Sequence, residues 1–185
     1  MKKYCRLGWV ILLFGSVLFG VIYPLAIWCV AHIFFPHSAE GSPIVVEKTL
    51  CGFKTIGQHF SSPKYFSSRP EVGLLEVSGG SNLSWTSKLL LKKVAERIII
   101  LRRQDMPVAD LPPDLLMQSA SGFDPHISFR AALFQVGRIA YARNIHEKEL
   151  LDMLLEKRDC RLFGLFPDRV NVLLLNKELD CRFPI

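Results

Sequence analysis

The chain has 185 residues, half of them hydrophobic, and 23 Lys and Arg outweigh 17 Asp and Glu for a formal net charge of +6. That length suits one domain of ordinary size plus an accessory segment. The five cysteines include no C-x-x-C pair, and no zinc pattern is present.

From Leu7 to Ala39 there is no Asp, Glu, Lys or Arg. A bilayer core of about 30 Å needs about 20 apolar helical residues. The run therefore predicts a transmembrane anchor over residues 7–35, with residues 1–6 as its flank. Trp9 and Trp28 fall about 28 Å apart at ~1.5 Å per residue, which places one aromatic near each membrane interface. The competing reading is a cleaved signal peptide, whose apolar region spans about 7–15 residues before a small-x-small site. This run is longer and has no clean site at its end. Pro24 lies inside it and predicts a kink, which bilayer-spanning helices tolerate.

Lys2, Lys3 and Arg6 precede the run, and the first basic residue after it is Lys48. By the positive-inside rule the N-terminus is cytoplasmic and residues 36–185 lie on the outer side. Cys51, Cys160 and Cys181 would then be outside, where at most one intramolecular disulfide can form. The same topology argues against a nucleic-acid partner despite the positive charge.

His37 to Pro43 reads as a polar exit from the membrane. Ile44 to Val46 and Phe53 to Ile56 are short β-prone runs, Ser61 to Arg69 is a structured loop, and Ser78 to Gly80 is a second loop. Asn82 or Ser84 can cap a helix running to about Arg103, with the apolar stripe Leu90, Val94, Ile98 and Leu101. Met106-Pro107 ends it. A short helix follows at Asp114 to Gln118.

Ser121 to Ser128, SGFDPHIS, reads as the start of a central helix. Gly122 permits the turn, Asp124 caps and Pro125 suits the first helical position. The helix face is Phe129, Ala132, Leu133, Val136, Ile139 and Ala140, and Asn144 ends it. On this reading Asp124→Ala is more costly than His126→Ala or Ser128→Ala. His146 to Arg158 predicts another amphipathic helix through Leu150, Leu151, Leu154 and Leu155, and Val170 to Leu175 a strand. The expected product is an α+β fold: one N-terminal transmembrane helix, then a compact domain of helices on a small sheet.

The sequence contains no GxxxxGK phosphate loop, no GxGxxG and no HExxH. It also lacks a DKTG phosphorylation sequence and a TVGYG filter, and one span cannot build a pore alone. Asp124, His126 and Ser128 supply the residue types of a catalytic triad within five positions. A triad usually draws on separate elements, so capping and turn formation is the plainer account, and neither catalytic nor metal-ligating residues are assigned. Gln135, Arg138 and Arg143 along the central helix either bond neighbouring loops or form a contact surface for another subunit. Gln58, Gly79, Gly80 and Asn82 are either turn chemistry or contact-loop residues. Lys88, Lys92, Lys93, Arg97, Arg102 and Arg103 read as a solvated helix face, or as a contact for an acidic partner surface or lipid headgroups.

Four stretches carry a family resemblance. They are Ile56 to Pro70, with IGQ-x-F and YFSSRP; SGGSNL, Ser78 to Leu83; SGFDPHIS followed by QVGRIAYAR, Gln135 to Arg143; and RVNVLLLNKELD, Arg169 to Asp180, as a late strand. In this order and spacing they resemble the C subunit of the Kdp high-affinity potassium-transporting P-type ATPase, KdpC. The resemblance implies a bacterial inner-membrane protein with a periplasmic C-terminal domain. It implies a complex with a channel-like A subunit, an ATP-hydrolysing B subunit and a small F subunit. Within it the C subunit is an accessory, non-catalytic component needed for assembly, and a catalytic chaperone that raises the ATP affinity of B. No cofactor is expected on the chain alone; ATP and potassium act on the complex. A periplasmic domain cannot touch cytoplasmic nucleotide, so the ATP effect is read as indirect. The alternative is a stand-alone membrane-anchored periplasmic enzyme or binding protein, which would need a concave site with convergent polar groups.

Overall fold

The computed structural model describes residues 2–46, 48–70, 78–103, 111–159 and 167–184. The chain is α+β and forms two compact units, Met1–Cys51 and Gly52–Ile185.

The first unit begins with a helical segment, Lys2–Phe34, long and apolar enough to cross a membrane. It consists of α1 (Lys2–Val17), a π-turn (Leu18–Ile22) and α2 (Tyr23–Phe34). The π-turn has a local cause. Pro24 has no N–H to give the carbonyl four residues back. The helix widens just before it, and the Tyr23 N–H donates to the Leu18 carbonyl, five residues away. No residue of α1 or α2 is buried. Trp9 and Trp28 are 68% and 57% exposed, as side chains meant for lipid would be. His32 near the end of α2 bonds the Trp28 carbonyl through Nδ1 at 2.9 Å. A short helix, α3 (Pro36–Ala39), leads to a two-stranded sheet of β1 (Pro43–Val46) and β2 (Thr49–Phe53). The second β-prone run thus starts earlier than expected and ends at Phe53; Ile56 closes a turn on the Phe53 carbonyl.

In the second unit α4 (Lys88–Arg103) begins later than either proposed cap. Asn82 is left-handed, with φ 52°, and Ser84 caps only a local turn through the Thr86 N–H. The stripe Leu90, Val94, Ile98 and Leu101 does turn inward, half-buried. The expected helix at Asp114 to Gln118 is a single 3-10 turn, Pro113–Leu115. Met106-Pro107 and Cys160 lie outside the described residues.

The SGFDPHIS segment is corrected most. His126–Ser128 is a strand, β3, antiparallel to β4 (Arg169–Asn171), with Ile127 opposite Val170. The pairing holds those three residues extended, so the helix starts only at Phe129. Ser128, not Asp124, is its cap: Oγ accepts the Ala131 N–H at 3.1 Å. Pro125 precedes the strand, and its carbonyl takes the Val172 N–H at 2.9 Å. The central helix is two pieces, α5 (Phe129–Leu133) and α6 (Val136–Arg143), separated at Phe134 and Gln135. Asn144 closes α6 in the left-handed conformation, φ 56°.

α7 (Glu147–Glu156) buries Leu150, Met153 and Leu154 and leaves Leu155 52% exposed, so Met153 takes the place assigned to Leu155. The late strand is the second large correction. β4 ends at Asn171, whose Oδ1 accepts the Leu174 N–H at 3.1 Å and starts α8 (Val172–Arg182). Of its five buried residues, Val172, Leu175, Asn176 and Leu179 follow the helical period, and Leu173 is buried beside them. The core joins both sheet strands to α5 through α8: Ile127, Ala132, Ile139, Leu154, Val170 and Leu175 are all buried together, with Phe66 from the long loop inserted among them.

Candidate functional site

The loop that carries Phe66 is held by Gln135, just before α6, and by side chains from α6 and α8. Gln135, 1% exposed, meets Ser67 at both ends of its amide. Oε1 accepts the Ser67 N–H at 2.7 Å, and Nε2 donates to the Ser67 carbonyl at 3.2 Å and the Ala131 carbonyl at 3.1 Å. Asn176 does the same for Phe66, at 2.9 Å to its N–H and 3.0 Å to its carbonyl. Each amide thus imitates a neighbouring strand.

Arg138 fans across the same loop, to the Pro63 carbonyl at 2.7 Å, the Tyr65 carbonyl at 2.9 Å and Gln135 Oε1 at 3.0 Å. Its burial lowers the guanidinium pKa to about 10, still charged at neutral pH. Arg143 bonds the Lys64 and Phe183 carbonyls, reaches Asp180 Oδ1 at 2.6 Å, and stacks 4.8 Å from the Tyr65 ring centroid. Burial and the Asp180 carboxylate push the Tyr65 phenol up, while Arg143 pulls it the other way. Gln135, Arg138 and Arg143 thus bond within this chain, with Arg138 Nε buried and unpartnered.

Beyond the loop lies an ion cluster. Arg69 pairs with Asp114 at 2.8 Å and lies 3.7 Å from Asp124 Oδ2. Asp114 also accepts the Ser128 N–H at 2.9 Å. Asp124 Oδ1 accepts the His126 N–H at 3.0 Å and faces His126 Nδ1 at 3.2 Å. Burial alone would raise the Asp124 carboxyl, but the two His126 bonds and the Arg69 charge outweigh it and hold it low. His126 thus faces Asp124, while Ser128 Oγ accepts the Ala131 N–H as a helix cap. A cleft of about 300 Å³ opens beside Arg69, lined in part by His59, Phe60, Ser67, Ser68 and Arg97.

The glycine loop is joined to the SGFDP lead-in. The Gly79 N–H and Ser78 Oγ both donate to the Ser121 carbonyl, at 2.9 and 3.0 Å. A Cβ on Gly80 would press to 3.1 Å from the Ala120 carbonyl. Gly122 has φ 75°. The Gly57 N–H bonds the Phe123 carbonyl at 2.8 Å, and the Gln58 carbonyl accepts Ser68 Oγ at 2.7 Å. The Gln58 amide packs where a Gly52 side chain would stand. The four marked stretches thus converge in space. Asn176 and Asp114 were not singled out in the sequence; a lone Asn within the apolar run VLLLN was the available signal for the first. Among the described residues no group of three His, Cys, Asp or Glu could hold a metal, and Cys51 and Cys181 are exposed.

A family model described as "K+-transporting ATPase, c chain", KdpC, matches residues 5–181. The chain belongs to the KdpC family. Relatives named "Potassium-transporting ATPase KdpC subunit" agree over nearly the whole chain. One from Rhodopseudomonas palustris (strain BisB18) is 39% identical over 97% of this chain and 98% of its own. One from Methylibium petroleiphilum is 38% identical with both chains covered entirely. A third, from Leptospira interrogans, is 37% identical over 95% of this chain and 92% of its own. The clamped loop and the pieces around it are thus the spatial form of the stretches in which this chain resembles the KdpC family.

Proposed function

We propose that this chain is an accessory, non-catalytic subunit of an ATP-driven potassium-uptake complex in a bacterial inner membrane. The match to the KdpC family over residues 5–181 carries the reading. Its partners are a channel-like A subunit, an ATP-hydrolysing B subunit and a small F subunit. The N-terminal helix anchors it with the N-terminus in the cytoplasm, and the domain beyond is periplasmic, near the outer mouth of the pore. The chain binds no cofactor by itself; ATP and potassium act on the complex. Any rise in the ATP affinity of B is indirect, passed through the assembly as coupling between states. The side chains of Gln135, Arg138 and Arg143 support a scaffolding role, since they hold a loop in shape rather than gather around a vacant centre. Gly79, half-buried, and Asn82, exposed, are the loop residues offered for subunit contact.

The test is complementation. A complex lacking this chain should regain assembly and potassium-stimulated ATPase activity when the full chain is restored. A chain ending at His37 should insert yet fail to restore full transport. Full transport from the anchor alone would remove any role for the outer domain.

A further inference from the structure

The outward arc of α4 has a composition that a solvated helix does not need. Leu89, Leu91, Ile99 and Ile100 are between 50% and 60% exposed, and Trp85, three residues before the helix, is 84% exposed. Interleaved with them are four exposed cations, Lys88, Lys92, Arg102 and Arg103, against one acid, Glu96. Lys92 reaches Glu96 at 4.0 Å. Lys88, Arg102 and Arg103 have no acidic partner among the described residues. The half-buried stripe of α4 already serves the fold, so this opposite arc is left over.

We infer that the outer face of α4, with Trp85 at its leading end, docks onto an anionic phospholipid surface. The inference rests on the reading that Lys2–Phe34 sits in a bilayer. Exposed Leu and Ile among Lys and Arg, with a Trp, is the composition of helices that lie in the headgroup region. Tryptophan favours that depth. An apolar patch alone would fit many partners; the charge imbalance selects an anionic one. The chain's own membrane helix keeps such a surface at high effective concentration, so weak docking suffices.

The full chain is reconstituted in vesicles with Trp85 as its sole tryptophan, after Trp9→Phe and Trp28→Phe. In vesicles containing phosphatidylglycerol, Trp85 emission should shift to the blue and be quenched by brominated lipid. In pure phosphatidylcholine it should stay water-like. Lys88→Gln, Arg102→Gln and Arg103→Gln should each lower the docked-to-free ratio about fivefold, with unchanged circular dichroism. Added salt should weaken docking in the same direction. A companion chain keeping only Trp28 reports insertion of the anchor. Trp28 quenched while Trp85 stays in water in both lipids overturns the docking and leaves the anchor reading standing. Neither quenched overturns both. Equal Trp85 quenching in the two lipids also overturns the inference, as does shielding of Trp85 that appears only when the other subunits are present.

Discussion

Gln135→Ala removes a buried amide and leaves the Ser67 N–H, held at 2.7 Å, without its acceptor. Stranding a fully buried donor costs about 1–3 kcal/mol, and the half-buried Ser67 N–H sets the loss at the lower end of that range. Chemical denaturation of the full chain in detergent should show a loss of that size, and a midpoint equal to that of the unsubstituted chain would contradict the clamp. Asp124 gives a smaller, pH-dependent effect. Its carboxyl is held below its ordinary value in the folded chain, with burial opposing and His126 and Arg69 prevailing. The stability it adds is present above the unfolded value and is lost as the pH falls through the folded one. A denaturation series taken from neutral into acid should therefore fall less steeply for Asp124→Asn than for the unsubstituted chain. Parallel curves would show that Asp124 is not the group responsible.

Where α5 begins is decided by a strand, and substitution can read that out. Ser128→Ala loses a helix cap, worth about 0.5–2 kcal/mol. Asp124→Ala loses a turn and a long ion pair, and should cost less. The reverse ranking in thermal melts would return the helix start to Asp124. The misplacement shows what was legible. Stripes at helical spacing, as in α4 and α7, are local and were readable from the sequence. Three-residue strands are not local: His126 to Ser128 is extended because Arg169 to Asn171 lies beside it. The run VNVLLL was ambiguous by length and composition, and only Asn171 as a cap tips it into α8. The candidate site was legible as words but not as contacts. Gln135 and Arg143 stood out, whereas their partners, the Ser67 and Lys64 backbones, are 68 and 79 positions away.

For the molecule as a whole, the orientation of the anchor is the open quantity that most affects the proposed function. A reporter active only in the periplasm, fused after Ile185, should be active, and a cytoplasmic reporter at the same point silent. The opposite pattern would invert the topology. Beyond orientation, the Asn176 clamp sets an order of events. Phe66 is synthesised 110 positions before the side chain that holds its amide and carbonyl. A nascent chain at roughly 5–20 residues per second therefore carries an unfastened Phe66 for several seconds after that residue is made. During that interval a buried ring of the finished domain is open to solvent, to chaperones and to proteases. The core around Phe66 can therefore close only once α8 has been made.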